Sequence, residues 1–165
     1  MKNNILYKVF SVIILLLTLE SYAIGDPTYV TTKAAENQFT LSNGAKGSTT
    51  LFISSEDYPG VISALKNLKT DIGKVSGHEP EIKYTNKPDS KEVIIVGTIG
   101  KSPIIDQLIK SKKLDVKNIS GKWESFVIQT IDSPFPGVEK ALVIAGSDKR
   151  GTIYGIYDVS RNIGV

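Results

Sequence analysis

Apolar and polar positions along this chain follow two rhythms. Residues 51–53 (LFI), 93–96 (VIIV) and 141–145 (ALVIA) are short unbroken apolar runs, the length of buried strands. The four β-branched residues at 93–96 suit a central strand covered on both faces. Residues 38–41, 81–84 and 123–131 alternate polar with apolar, which predicts half-exposed strands; Phe126, Ile128 and Thr130 then oppose Val127, Gln129 and Ile131.

Between these runs the spacing changes to three and four. Val61, Ile62, Leu65, Leu68, Ile72 and Val75 mark the inner face of a long helix. Ser54, Ser55 and Asp57 are candidate caps, Pro59 suits its first turn, and Gly77 ends it. Ser102 as a cap and Pro103 as first residue open a second helix with Ile104, Ile105, Leu108 and Ile109 inward. The third spans 149–163, capped by Asp148, with Ile153, Ile156, Val159 and Ile163 on one face and Gly164 at its end. Asn43-Gly44 predicts a turn, and Pro134, Pro136 and Gly137 make 132–140 a loop, so its flanking strands can pair antiparallel. The expectation is an α/β fold, with α+β the alternative: a mixed sheet of about six strands covered by about three helices.

The first residues belong to a different pattern. Lys2 and Lys8 precede an eleven-residue, mostly apolar core at 9–19, and Ser21-Tyr22-Ala23 supplies small residues at a cleavage site. Residues 1–23 therefore read as a secretory signal peptide, leaving a domain at 24–165 in the periplasm or outside the cell. The apolar core is shorter than the roughly 20 residues of a membrane helix, so no stable membrane anchor is expected. The signal takes two lysines and one glutamate from a chain of 20 basic and 17 acidic residues, leaving a formal charge of +2. That is too weak to imply a partner. Only Arg150 and Arg161 are arginines, so a guanidinium-rich surface for nucleic acid is excluded. There is no cysteine, which removes disulfides and thiolate metal sites.

Candidate chemistry is sparse. Gly146 and Gly151 have the spacing of a phosphate loop, but Thr152 and Ile153 stand where Lys and Ser or Thr are needed. Gly100-Lys101-Ser102 also fails, because Ile95 occupies the place of the first glycine. Gly151 and Gly155 are better read as close-approach positions of a helix against the sheet. His78, the single histidine, falls in a turn, and Glu79 and Glu81 share a face as any two solvent-facing residues would. No Gly-x-Ser-x-Gly elbow is present. No catalytic residue, metal or cofactor is expected. The best candidate contacts lie where ligands sit in open sheets, beyond the carboxyl ends of strands: Lys101 and Ser102 after one, Ser147, Asp148, Lys149 and Arg150 after another. Local or interdomain contacts rank first for them, and ligand contacts second.

Residues 146–165, GSDKRGTIYGIYDVSRNIGV, closely resemble the segment closing the N-terminal domain of glycoside hydrolase family 115, the xylan α-1,2-glucuronidases. Residues 93–108, VIIVGTIGKSPIIDQL, resemble the same family, and looser relatives of both precede the barrels of β-hexosaminidases. The resemblance implies an N-terminal domain whose partner is a downstream (β/α)8 barrel carrying the catalytic groups, and a chain truncated before that barrel. It implies as substrate xylan or glucuronoxylan bearing (4-O-methyl-)glucuronic acid. It transfers no catalytic role to any residue here. The alternative is a stand-alone secreted carbohydrate- or protein-binding module.

Overall fold

The computed structural model describes residues 29–33 and 38–165. The signal-peptide reading of 1–23 lies outside the described residues. Five strands form one sheet: β1 (Leu51–Ile53), β2 (Ile82–Tyr84), β3 (Glu92–Thr98), β4 (Phe126–Asp132) and β5 (Lys140–Gly146), in the order β2-β1-β3-β5-β4. β2, β1, β3 and β5 are parallel, and β4 runs antiparallel to β5. The helices are α1 (Pro59–Ser76), α2 (Pro103–Lys110) and α3 (Lys149–Asn162). The fold is α/β with a mixed sheet, as the two rhythms predict.

Alternation along the strands splits the core into two layers. Leu51, Ile53, Ile94, Val96, Leu142 and Ile144 face one side, where α1 brings Val61, Leu65 and Leu68 and α3 brings Ile156 and Val159. Phe52, Val93, Ile95, Ala141 and Val143 face the other, covered by Ile104, Ile105 and Leu108 of α2 and by the loop residues Leu114 and Val138. Val75 is exposed, so the inner face of α1 stops at Ile72. Among the described residues no helix is long and apolar enough to cross a membrane.

Two predicted strands change. Residues 38–41 join no ladder, which leaves five strands among the described residues rather than six. Phe39 and Leu41 do pack on the core, but the segment folds back on itself through a Ser42–Ser48 bridge and a 3-10 turn at Gly44–Lys46. The alternation therefore records burial without pairing. β4 begins at Phe126 rather than 123, because Glu124 has φ +54 and a residue in the left-handed region cannot continue a strand.

The close approach predicted for Gly151 and Gly155 is present. A Cβ on Gly151 would lie 2.2 Å from the carbonyl oxygen of Ser125, and one on Gly155 would lie 2.9 Å from Ile144 Cγ2. α3 can settle this close to β4 and β5 only without those carbons. Gly151→Ala should cost about 1–3 kcal/mol, the usual penalty of overpacking, because the atom it meets is backbone. Urea unfolding of the variant checks this, and an unchanged midpoint would contradict the packing described.

Candidate functional site

Helices α1 and α2 leave neighbouring strands toward opposite faces of the sheet, so the order of the strands reverses between β1 and β3. Open α/β sheets bind ligands in the crevice at such a switch point, beyond the carboxyl ends of the strands. Here the crevice is occupied by the protein's own side chains. β1 has only three residues, and its last ladder partner on β3 is Val96. Thr50 accepts from Ile94 N on this side of β3, but four residues later the Thr98 N–H has outrun β1. Asp57, from the β1–α1 loop, takes over: its Oδ2 accepts from Thr98 N at 2.8 Å, and its Oδ1 from Thr98 Oγ1 at 2.9 Å and Tyr58 N at 2.8 Å. Thr98 Oγ1 gives its proton to Asp57 and lies 2.8 Å from Thr152 Oγ1, whose single proton is shared between Thr98 Oγ1 and the Asp148 carbonyl at 2.9 Å. Asp57, Thr98 and Thr152 are all buried.

This network ties the starts of α1 and α3 to the end of β3, and no local sequence pattern announces it. Asp57 stood as a candidate cap of α1; the residue flanking that helix is Tyr58, and no side chain caps it. Thr152 enters the sequence pattern only as a mismatch in a phosphate loop, and Thr98 carries no local signature.

The six predicted contact residues lie on the same edge of the sheet, in two groups. Ser102 is fully buried, its Oγ turned toward Gly97 and without a hydrogen-bond partner, so it does not cap α2 through its side chain. Asp106 Oδ1 instead accepts from Gly100 N at 2.8 Å and places a carboxylate at the entrance to that helix. An anion would meet that carboxylate first. Lys101 extends outward with its Nζ 5.6 Å from the centre of the Tyr58 ring.

The second group is bound to the connector preceding β4. Ser147 N donates to the Ser125 carbonyl at 2.8 Å, and Ser147 Oγ accepts from Ser125 N at 3.1 Å. Asp148 caps α3 as predicted, accepting from Gly151 N at 2.7 Å, and its other oxygen accepts from Glu124 N at 2.9 Å. Those backbone donors, Glu124 first and Gly151 next, hold its carboxyl below the usual aspartate range. Arg150 pairs with Glu124 at 2.8 Å and donates to Tyr154 Oη at 2.8 Å. Lys149 is exposed, its stem beside Gly60.

Elsewhere His78 is exposed, Glu79 pairs with Lys69 at 3.3 Å, and Glu81 is exposed. Among the described residues no three His, Cys, Asp or Glu side chains gather as a metal ion needs. The hydrogen bonds along this sheet edge join its loops to one another.

Two predictions test this. Asp57→Ala leaves the buried Thr98 N–H without its acceptor and should cost about 1–3 kcal/mol in chemical denaturation, more than Ser55→Ala, which removes an exposed hydroxyl. For Asp148 the sign follows from its lowered pKa. Its contribution is present above the unfolded value near 4 and is lost as pH falls through the lower folded value. The native chain should therefore lose more stability than Asp148→Asn as the pH falls below about 4. Parallel acid limbs in thermal melts of the two would contradict it.

Comparison with known proteins assigns this fold a place. No curated protein matches the chain. Among the solved structures that match is a family GH115 4-O-methyl-α-glucuronidase, BtGH115A, described as having specificity for decorated arabinogalactans. The two share 32% identity with a TM-score of 0.62 over 78% of this chain, which spans 15% of that one. Residues 30–159 match the family described as the glycosyl hydrolase family 67 N-terminus. The resemblance to an N-terminal domain of α-glucuronidase-related hydrolases thus stands at that level, through family 67 over most of the sequence and through family 115 in one solved structure. With 30–159 covering every strand and most of the last helix, the chain belongs to the glycosyl hydrolase family 67 N-terminus family.

Proposed function

We propose that this chain is the non-catalytic N-terminal domain of an exported α-glucuronidase of the family 115 kind, removing (4-O-methyl-)glucuronic acid from glucuronoxylan. The observation that carries the non-catalytic part is the filled switch point: Asp57, Thr98 and Thr152 occupy the place where a sheet of this kind takes ligands. A glycosidase site also needs two carboxyl groups about 5–10 Å apart around an accessible sugar. Asp57 is buried, and the Asp148 oxygens are engaged with backbone donors. The catalytic groups then belong to a (β/α)8 barrel in the same polypeptide. Support for family 115 comes from the blocks at 93–108 and 146–165, which fall on the β3–α2 unit and on the loop and helix that follow β5, and from the solved relative. That relative's description names decorated arabinogalactans, so both polymers belong in the assay.

The DNA following the codon for Val165 should read on into a barrel-length open frame. The intact polypeptide should release glucuronic acid from glucuronoxylan or from a glucuronate-bearing arabinogalactan, and residues 24–165 alone should release none. Release by 24–165 overturns the non-catalytic reading; a stop codon with no barrel leaves the binding-module alternative. For export, mass spectrometry of the secreted protein should find Ile24 at its N-terminus, and a retained Met1 would remove that part of the proposal.

A further inference from the structure

Both arginines of the chain, against eighteen lysines, lie on one line of one helix. Arg150, Tyr154, Tyr157 and Arg161 of α3 are spaced four, three and four, which places them along a single ridge about 16 Å long. The ridge points directly away from Thr152, Ile156 and Val159, the residues α3 buries. Tyr154 is 40% and Tyr157 44% exposed. Both hydroxyls are hydrogen-bonded, Tyr154 to Arg150 and Tyr157 to Asn67 of α1 at 2.8 Å, which favours the outward position of the rings.

The ridge is extended at each end. At the first, Glu124 pairs with Arg150, and its neighbour Trp123, the single tryptophan, is 86% exposed. At the other, Asp158 holds Arg161 at 3.0 Å and accepts from Tyr29 Oη at 2.8 Å, bringing a further exposed tyrosine against the helix. Partial burial and that bond to Asp158 raise the Tyr29 pKa. Tryptophan, tyrosine and arginine are the residues that carry most of the energy in protein interfaces, and rings already favoured in an outward position lose less entropy on docking. A helix ridge is convex, whereas sugars and other small ligands are taken in clefts.

We infer that this ridge, Trp123-Arg150-Tyr154-Tyr157-Arg161, is the face on which the domain docks to the catalytic domain of the same polypeptide. The inference rests on the function proposed above. What selects that partner is the family: the chain is of an N-terminal type, it spans 15% of its solved relative, and the family match closes at residue 159, inside α3. α3 ends at Asn162 and the backbone turns at Gly164 (φ +101), so a polypeptide continuing from here starts at the Arg161 end of the ridge, and a domain tethered there meets it at high effective concentration.

The test uses the intact polypeptide with Trp123→Ser, and separately with Tyr154→Ser and Tyr157→Ser together. Calorimetry of the native protein should show this domain unfolding in one transition with its neighbour. In both variants the domain's transition should separate and fall to the temperature of the 165-residue chain, and protease cleavage between the domains should speed up at least tenfold. The same substitutions in the 165-residue chain should leave its own melting unchanged within a few degrees. Should the tyrosine pair lower it, Trp123→Ser, which removes an exposed ring, decides alone. Coupled unfolding unchanged in the variants overturns the docking. So does a tenfold loss of glucuronoxylan-oligosaccharide binding, or of self-association in sedimentation, with coupling intact. An intact polypeptide that shows the coupling but releases no glucuronic acid loses the activity and keeps the interface; absence of any downstream domain loses both.

Discussion

A parallel sheet built on a three-residue strand runs out of backbone acceptors early, and the way this protein replaces them shapes the rest of it. β1 stops beside Val96, leaving the Thr98 N–H at the buried end of β3 without a strand to face. An orphaned amide there is costly, and the Asp57 carboxylate answers it by accepting from both the amide and the hydroxyl of Thr98. Because Asp57 sits on the loop entering α1, the acceptor that completes β3 also fixes where that helix begins. The Thr98 hydroxyl extends the connection to Thr152, in the first turn of α3. Loops from β1, β3 and β5 are thus joined by three side chains.

The same helix is held from its other side by the connector before β4. Asp148 accepts from Glu124 N, Arg150 pairs with Glu124, and the Ser125 carbonyl reaches Ser147 while lying against Gly151. The charge of Asp148 is held mostly by backbone donors rather than by Arg150, so its role as cap and clasp does not depend on the exposed ion pair. With Thr152 gripped below and Asp148 above, α3 has little freedom to roll. Its outward ridge has a fixed direction for that reason.

Much of this fold is legible in the sequence because burial writes itself as periodicity. β3 and β5 are unbroken apolar runs covered on both faces, and the inner faces of α2 and α3 follow from Ile104, Ile105 and Leu108 and from Ile156 and Val159. Asp148 as a cap and the two glycines at the sheet were also readable, since each is a local requirement with a local signature. Residues 38–41 show where the method breaks: alternation reports which side chains are buried, and Phe39 and Leu41 are, but not whether a partner strand lies within reach. The start of β4 was missed because nothing in Trp123-Glu124-Ser125 announces a positive φ. Ser102 looked like a cap by type, yet the space over Gly97 drew its side chain inward. The Asp57–Thr98–Thr152 network joins residues 41 and 54 positions apart, and a single sequence holds no signal for such a separation.

A fold of this kind carries many functions, and what distinguishes this chain is where its polar and aromatic groups are committed. At the switch point they are committed inward. Thr98 bonds to both Asp57 and Thr152, and Asp106 places a carboxylate at the start of α2. On the outside of α3 the commitment is reversed: the tyrosine hydroxyls are satisfied while their rings face solvent, beside a tryptophan with little protein around it. A domain that closes its interior crevice and displays aromatic groups on a convex helix is built to recognise a surface. Membership in a family of N-terminal hydrolase domains supports the proposal that the surface met by this ridge is a neighbouring domain.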